Sequence, residues 1–109
     1  MLNGPTVAPR AGGPARQLVV LLHGYGADGN DLIALAPALA RSLPHAAFVA
    51  PDAPQPCDMA AFGRQWFSLQ DRRPTSLLAG CRRTAPQLDA YLDTLLTRHG
   101  LNAGRLALV

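Results

Sequence analysis

Apolar residues in this chain gather into three short uninterrupted runs and two longer stretches that repeat every three or four positions. The first run, Gln17-Leu18-Val19-Val20-Leu21-Leu22, contains β-branched residues and is ended by Gly24. A run with no polar alternation marks a strand covered on both faces, which favours a parallel sheet. Ala46-Ala47-Phe48-Val49-Ala50 is the second run, stopped by Pro51-Asp52-Ala53-Pro54, and Arg105-Leu106-Ala107-Leu108-Val109 reads as a third buried strand. Between the first two runs, Leu32, Leu35, Leu39 and Leu43 trace a helix that Asn30 or Asp31 can cap. Pro37 is predicted to kink that helix or to confine its first turn. From Thr75 to His99, the residues Leu77, Cys81, Ala85, Leu88, Leu92, Leu95 and His99 fall on one helical face, and Gly100 is placed to end it. Pro86 is predicted to bend or split this second helix.

The segments around these elements differ in character. Residues 1–16 carry Pro5, Pro9 and Pro14 with glycines and few bulky apolar groups, which suits an arm of short edge strands or a hairpin. Residues 53–75 form a long irregular stretch holding Met59, Phe62, Trp66 and Phe67, and long ordered loops of that kind tend to be functional. The order is arm (1–16), then strand, helix, strand, loop, helix and strand (17–109). It predicts an α/β class with a mostly parallel sheet, right-handed connections and helices on its faces. At 109 residues the chain is one domain, with the last strand left at an open edge. Such an edge invites pairing, so association, including a homodimer, is one expectation.

Composition narrows the classes. With 49% hydrophobic and 16% charged residues, the chain lies outside the disordered range. All cations are Arg and all anions Asp, a pattern of coding bias. Only Arg72-Arg73 and Arg82-Arg83 are adjacent basic pairs, with no interleaved aromatics, so no nucleic-acid partner is expected. Cys57 and Cys81 lack the close pairing of zinc ligands, and no metal is expected. They read as free, partly buried thiols. The first ten residues lack a secretory pattern, and Leu18–Leu22 is far too short to span a bilayer, which predicts a cytoplasmic protein without stable membrane insertion.

Gly24-x-Gly26-x-x-Gly29 follows a strand and precedes a helix, with Asp52 ending the next strand. Taken literally, this is a dinucleotide-binding fingerprint, in which pyrophosphate sits on the helix amino terminus. His23 and Tyr25 crowd that turn, a cap at Asn30 or Asp31 falls after the third glycine, and Asp28 and Asp31 put negative charge where phosphates would sit. The other reading takes His23-Gly24-Tyr25-Gly26 as an oxyanion loop, whose free backbone N–H meets developing negative charge.

Leu21-Leu22-His23-Gly24-Tyr25-Gly26-Ala27-Asp28-Gly29-Asn30-Asp31-Leu32 resembles the signature of the phospholipase/carboxylesterase family of α/β-hydrolases, which includes acyl-protein thioesterases. Val49-Ala50-Pro51-Asp52-Ala53-Pro54 and Gly63-Arg64-Gln65-Trp66-Phe67-Ser68-Leu69 resemble that family's next strand end and its active-site loop. The resemblance implies a serine hydrolase of acyl esters, lysophospholipids or thioesters, needing no cofactor. It implies that the Tyr25 backbone N–H serves the oxyanion hole, that His23, Gly24 and Gly26 support the loop, and that Trp66, Phe67, Met59 and Phe62 line the acyl cleft. In the family, the strand resembling Leu106–Val109 runs into G-F-S-Q-G, and the triad's acid and histidine follow. These 109 residues contain no such elbow, so they are expected to be the amino-terminal half of an α/β-hydrolase domain and inactive alone. Ser42, Ser68 and Ser76 lack the elbow context, and no local motif supports Cys57 as a nucleophile paired with His23 or His45.

Overall fold

The computed structural model describes residues 1–109. Along the chain run β1 (Thr6–Val7), β2 (Gln17–Val20), α1 (Gly29–Ile33), α2 (Ala36–Ala40), β3 (Ala46–Val49), β4 (Gln55–Pro56), β5 (Arg64–Gln65), α3 (Pro74–His99), a 3-10 turn (Ala103–Arg105) and β6 (Leu106–Leu108). The main sheet has the order β1-β3-β2-β6. Both partners of β2 run parallel to it, and only β1 is antiparallel, against β3. The arm therefore crosses to the far side of β3 as a single edge strand; it forms no hairpin with β2.

The uninterrupted apolar run of β2 does what such a run requires, because its alternate residues enter two different cores. Leu18 and Val20 pack with Ala47, Val49 and the α3 residues Tyr91, Leu92 and Leu95. Val19 and Leu21 pack on the opposite face with Phe48, Ala50 and the α2 residues Ala36 and Ala40. Every residue of β3 is buried for the same reason. The third run differs from its expectation. Leu106 is half-buried, but Leu108 and Val109 are 50% and 62% exposed, because β6 pairs only with β2 and little packs over its outer end.

The first predicted helix is two short ones. Its cap is Asp28 rather than Asn30 or Asp31: the Asp28 side chain accepts from the Asp31 N–H, and the Asp31 side chain accepts from the Asp28 N–H in return. That reciprocal box uses the only acid three residues ahead of another, and it starts the helix at Gly29. Pro37 then opens α2 in its first turn, where a missing N–H does no harm.

Helix α3 is continuous through Pro86. Pro86 and Arg82, whose carbonyl loses its donor, are both exposed, so the helix gives up that bond where the chain is open to solvent. Gly100 ends the helix in the left-handed conformation, with φ +64° and its N–H directed to the Leu96 and Thr97 carbonyls. In the first half the buried face is rotated from the predicted one: Cys81 and Ala85 are exposed, whereas Gly80 and Thr84 are buried. The loop decides this. A Cβ on residue 80 would lie 2.7 Å from the Phe67 ring, and the Thr84 hydroxyl donates to the Trp66 carbonyl at 2.7 Å. Cys57, by contrast, is buried.

The stretch predicted as irregular contains the β4–β5 hairpin, paired as Gln55 with Gln65 and Pro56 with Arg64. Strands of two residues, none of them large and apolar, leave no hydrophobic alternation to read. The hairpin brings residues 57–63 beside the loop that follows β2.

Candidate active site

The chain leaves β2 toward β3 on one side and later returns past β2 to β6 on the other. In open α/β sheets, such a reversal opens a crevice at the carboxyl ends of the strands. His23-Gly24-Tyr25-Gly26 occupies that position. The carboxyl end of β6 is directly alongside, since the Val109 N–H donates to Val20 at 2.9 Å and the Leu22 N–H to Val109 at 2.8 Å.

His23 is 2% exposed, and both ring nitrogens are engaged with backbone. Nε2 accepts from the Ala53 N–H at 3.0 Å, and Nδ1 meets the Gly24 carbonyl at 2.7 Å, which requires the proton on Nδ1. The Trp66 indole stacks on this ring at 5.4 Å between centroids, while its Nε1–H donates to the His23 carbonyl at 2.8 Å. A histidine so committed has no nitrogen left to take a proton from a nucleophile. The Cys57–His23 pairing is thereby closed, and His45 lies at the other end of β3, just before its first residue.

The loop itself is clamped to the hairpin. The Gly26 N–H donates to the Arg64 carbonyl at 2.9 Å, and the Arg64 N–H to the Ala27 carbonyl at 2.8 Å. Contact is so close at Gly63, where φ is +83°, that a Cβ would stand 2.0 Å from the Gly26 oxygen. The Arg64 guanidinium closes the base of the hairpin, with Nε donating to the Ala53 carbonyl at 2.6 Å and a terminal nitrogen to Pro54 at 3.1 Å. With Gly26 fixed beside it, the Tyr25 amide donates to no acceptor in the chain, nor does that of Gly24.

The Tyr25 side chain has its own tether, a hydroxyl donated to Asp58 Oδ1. That bond, with the partial burial of the ring and the nearby Cys57, pushes the phenol well above its ordinary value. The Asp58 carboxyl is held below the usual carboxylate range, first by the Ser68 hydroxyl, then by Tyr25 and Gln65. The Asp58 N–H donates to Gln65 Oε1 at 3.0 Å, and Gln65 Nε2 to Gln55 Oε1 at 2.8 Å, so the tether reaches into the hairpin's strands.

Beside the loop, Tyr25, Trp66, Phe67 and Leu69 line an apolar pocket of about 140 Å³. Of the predicted acyl-cleft residues, the structure brings Trp66 and Phe67 to it. Met59 and Phe62 are elsewhere, 61% and 87% exposed near the hairpin tip. The sequence reading assigns Tyr25 a backbone role alone and singles out none of Leu69, Asp58 and Gln65. Leu69 stood within the motif that flagged Trp66, whereas nothing distinguishes Asp58 from any surface acid.

The phosphate-cradle geometry is filled by the chain's own carboxylates: the Gly29 N–H donates to Asp52 Oδ1 at 2.8 Å and the Asp31 N–H to Asp28 at 3.0 Å. No group of His, Cys, Asp or Glu is arranged to hold a metal ion. Ser76 donates to Asp71 at 2.7 Å, far along the chain from the loop. No helix is long and apolar enough to cross a membrane.

Comparison with known proteins agrees with this geometry. The sequence profile of a family described as phospholipase/carboxylesterase matches residues 3–109. The crystal structure of esterase PE8 superposes with a TM-score of 0.90 at 44% identity, covering 98% of this chain and 50% of that one. A carboxylesterase from Mesorhizobium loti gives a TM-score of 0.63 at 27% identity, covering 97% and 51%. The chain thus spans about half the length of these two structures. On the residues matched and the fold shared, the chain belongs to the phospholipase/carboxylesterase family of α/β-hydrolases.

Proposed function

We propose that this segment supplies one oxyanion-hole donor and part of the acyl pocket of a serine hydrolase acting on carboxylic esters, lysophospholipids or thioesters. The observation that carries this reading is the Tyr25 amide, which donates to no acceptor in the chain and sits next to the clamped Gly26, at the carboxyl end of β2 beside an apolar pocket. In acyl transfer, a nucleophile adds to the carbonyl carbon and negative charge moves onto the carbonyl oxygen. A fixed N–H that meets this oxygen lowers the barrier without reorganising. Tyr25 would provide one such donor, and the amide after the serine of a G-x-S-x-G elbow the second. An elbow continuing from β6 would start at Val109, which is hydrogen-bonded to the strand that leads into His23. The acyl chain would lie against Trp66, Phe67, Leu69 and the Tyr25 ring. No organic cofactor or metal enters this chemistry.

The residues that attack and shuttle protons are not among these 109, so the segment alone should bind acyl groups without turning them over. Purified 109-residue protein should leave p-nitrophenyl butyrate intact, and a longer polypeptide with the elbow should cleave it. Cleavage by the short protein that survives repurification would overturn the assignment.

A second reading is favoured by one observation, the open β6 edge with Leu108 and Val109 exposed. It makes the segment a non-catalytic module that persists by pairing along β6, for example as a homodimer. Sedimentation equilibrium distinguishes the two: a stable monomer across the micromolar range removes the second.

A further inference from the structure

The end of the sheet opposite the oxyanion loop carries a different chemistry. Each parallel strand of the main sheet is entered through a basic residue: Arg16 precedes β2, His45 precedes β3, and Arg105 precedes β6. Register sets Arg16 beside His45, since Gln17 pairs with Ala46, and Arg105 one position along, beside Gln17, since Leu18 pairs with Leu106. Adjacent strands lie about 4.8 Å apart, so the three residues sit close together at one end of the sheet. The Arg16 N–H, donated to the His45 carbonyl at 2.8 Å, fixes that alignment one residue beyond the strands. His99, in the last turn of α3, faces the same space.

These four residues line one cleft of about 800 Å³, whose other walls are Gly12, Gly13, Pro14, Ala15, Gln17, Gly100 and Leu101. No acidic residue is among them. The chain's one ion pair is Arg73 with Asp71, and arginine side-chain hydrogen bonds are confined to Arg64, Arg72 and Arg73. His23 is the histidine whose ring is bonded within the chain. Arg16, Arg105, His45 and His99 therefore converge with no partner, and Gly12, Gly13 and Gly100 keep the walls clear, with nothing within 4 Å of where a Cβ would stand.

We propose that this cleft binds a small organic phosphate, gripped by the Arg16 and Arg105 guanidinium groups with His45 and His99 beside them. Two planar forks from adjacent strands suit the several oxygens of a phosphate dianion. The volume lies in the range of small-molecule sites. The carboxyl end of α3 also reaches the cleft, and a helix end carries about half a negative charge. Its own last turn answers that charge with Arg98 and His99, and the Leu96 carbonyl is capped by Leu101 at 2.9 Å. Arg16 and Arg105 come from other elements and remain unanswered. The run from Gln17 to Leu22 separates this cleft from the oxyanion loop by roughly 20 Å at about 3.3 Å per residue, so the proposal stands independently of the hydrolase reading.

The test is an amide-resolved NMR titration of the 109-residue protein with inorganic phosphate and with glycerol 3-phosphate, at constant ionic strength. Saturable shifts are expected at Gly13, Arg16, Gly100 and Arg105. Arg16→Ala and Arg105→Ala should each weaken binding by about tenfold or more, the scale set by loss of a charge-assisted bond. Arg16→Lys should fall between, keeping the charge without the fork, and Arg41→Ala, an exposed arginine elsewhere, should change nothing. Shifts that never saturate, that acetate reproduces, or that persist in both alanine variants overturn the proposal. So does binding to phosphatidic-acid vesicles with no response to either soluble phosphate.

Discussion

Gly63→Ala would set a methyl group 2.0 Å from the Gly26 carbonyl oxygen and 2.4 Å from its carbon, at a residue whose φ is +83°. Both obstructing atoms are backbone, so no side chain can swing aside. A left-handed conformation costs an L-residue about 1–2 kcal/mol. Separation of the two loops would also weaken the bonds from Gly26 to Arg64 (2.9 Å) and from Arg64 to Ala27 (2.8 Å). Each such bond contributes about 0.5–1.5 kcal/mol net, so the expected total is about 2–5 kcal/mol. Gly12→Ala is the matched control: φ is +77°, but nothing lies within 4 Å of the added carbon. It should lose only the conformational part, about 1–2 kcal/mol. Urea denaturation of both variants measures the difference, and amide exchange at Gly26 and Arg64 locates it. If Gly63→Ala is no less stable than Gly12→Ala, or if exchange at Gly26 is unchanged, the claim that this close approach holds the His23–Gly26 loop is wrong.

Leu95, 1% exposed between α3 and the sheet, should lose about 2–5 kcal/mol on truncation to alanine, read from the urea midpoint. Because the Asp58 carboxyl is held below its ordinary value, its contribution to stability is present above about pH 3.9 and disappears as pH falls through the folded value. Wild type and Asp58→Asn should therefore converge in stability in strong acid, and a constant gap from pH 7 to pH 2 would contradict the tether. The raised Tyr25 phenol acts on the opposite flank: its contribution is present below about pH 10 and is lost as pH rises further, a loss that Tyr25→Phe should abolish in alkaline denaturation. A thiol reagent should titrate exposed Cys81 rapidly and buried Cys57 only on unfolding; two equally fast thiols would contradict the hairpin's packing over Cys57.

The strands were legible because continuous apolar runs such as Leu18–Leu21 need two covered faces, and the fold gives them two. The Gly100 stop and the Pro37 first turn were equally plain, each being a local backbone rule. What escaped the sequence depends on partners distant along the chain. Cys81 and Ala85 match the helical period of α3 as well as Gly80 and Thr84 do, and only the Phe67 ring and the Trp66 carbonyl choose between them. The hairpin was hidden because Gln55-Pro56 and Arg64-Gln65 are two residues long and hold no large apolar residue. The Tyr25 amide leaves no mark in side-chain chemistry at all; resemblance to a family motif pointed to it, and geometry then showed it unpaired. Met59 and Phe62, singled out with Trp66 and Phe67 as large apolar residues of the 53–75 stretch, are exposed and do not line the pocket. The basic cleft was half visible, since Arg16 and His45 each precede an expected strand and Arg105 opens one, but their nearness needs the order of the strands in the sheet.

The central claim is that the Tyr25 backbone N–H is an oxyanion donor, and the most direct test removes that hydrogen alone. In a catalytically complete polypeptide carrying this segment and a G-x-S-x-G elbow, Tyr25 can be replaced by its α-hydroxy analogue, which turns the amide into an ester and leaves the side chain intact. Loss of one such donor lowers kcat by about 10²–10³. The account predicts a fall of that size for p-nitrophenyl butyrate, with KM little changed because the ground-state carbonyl gains less from the donor than the developing oxyanion does. An unchanged kcat, or a loss expressed wholly in KM, would contradict it.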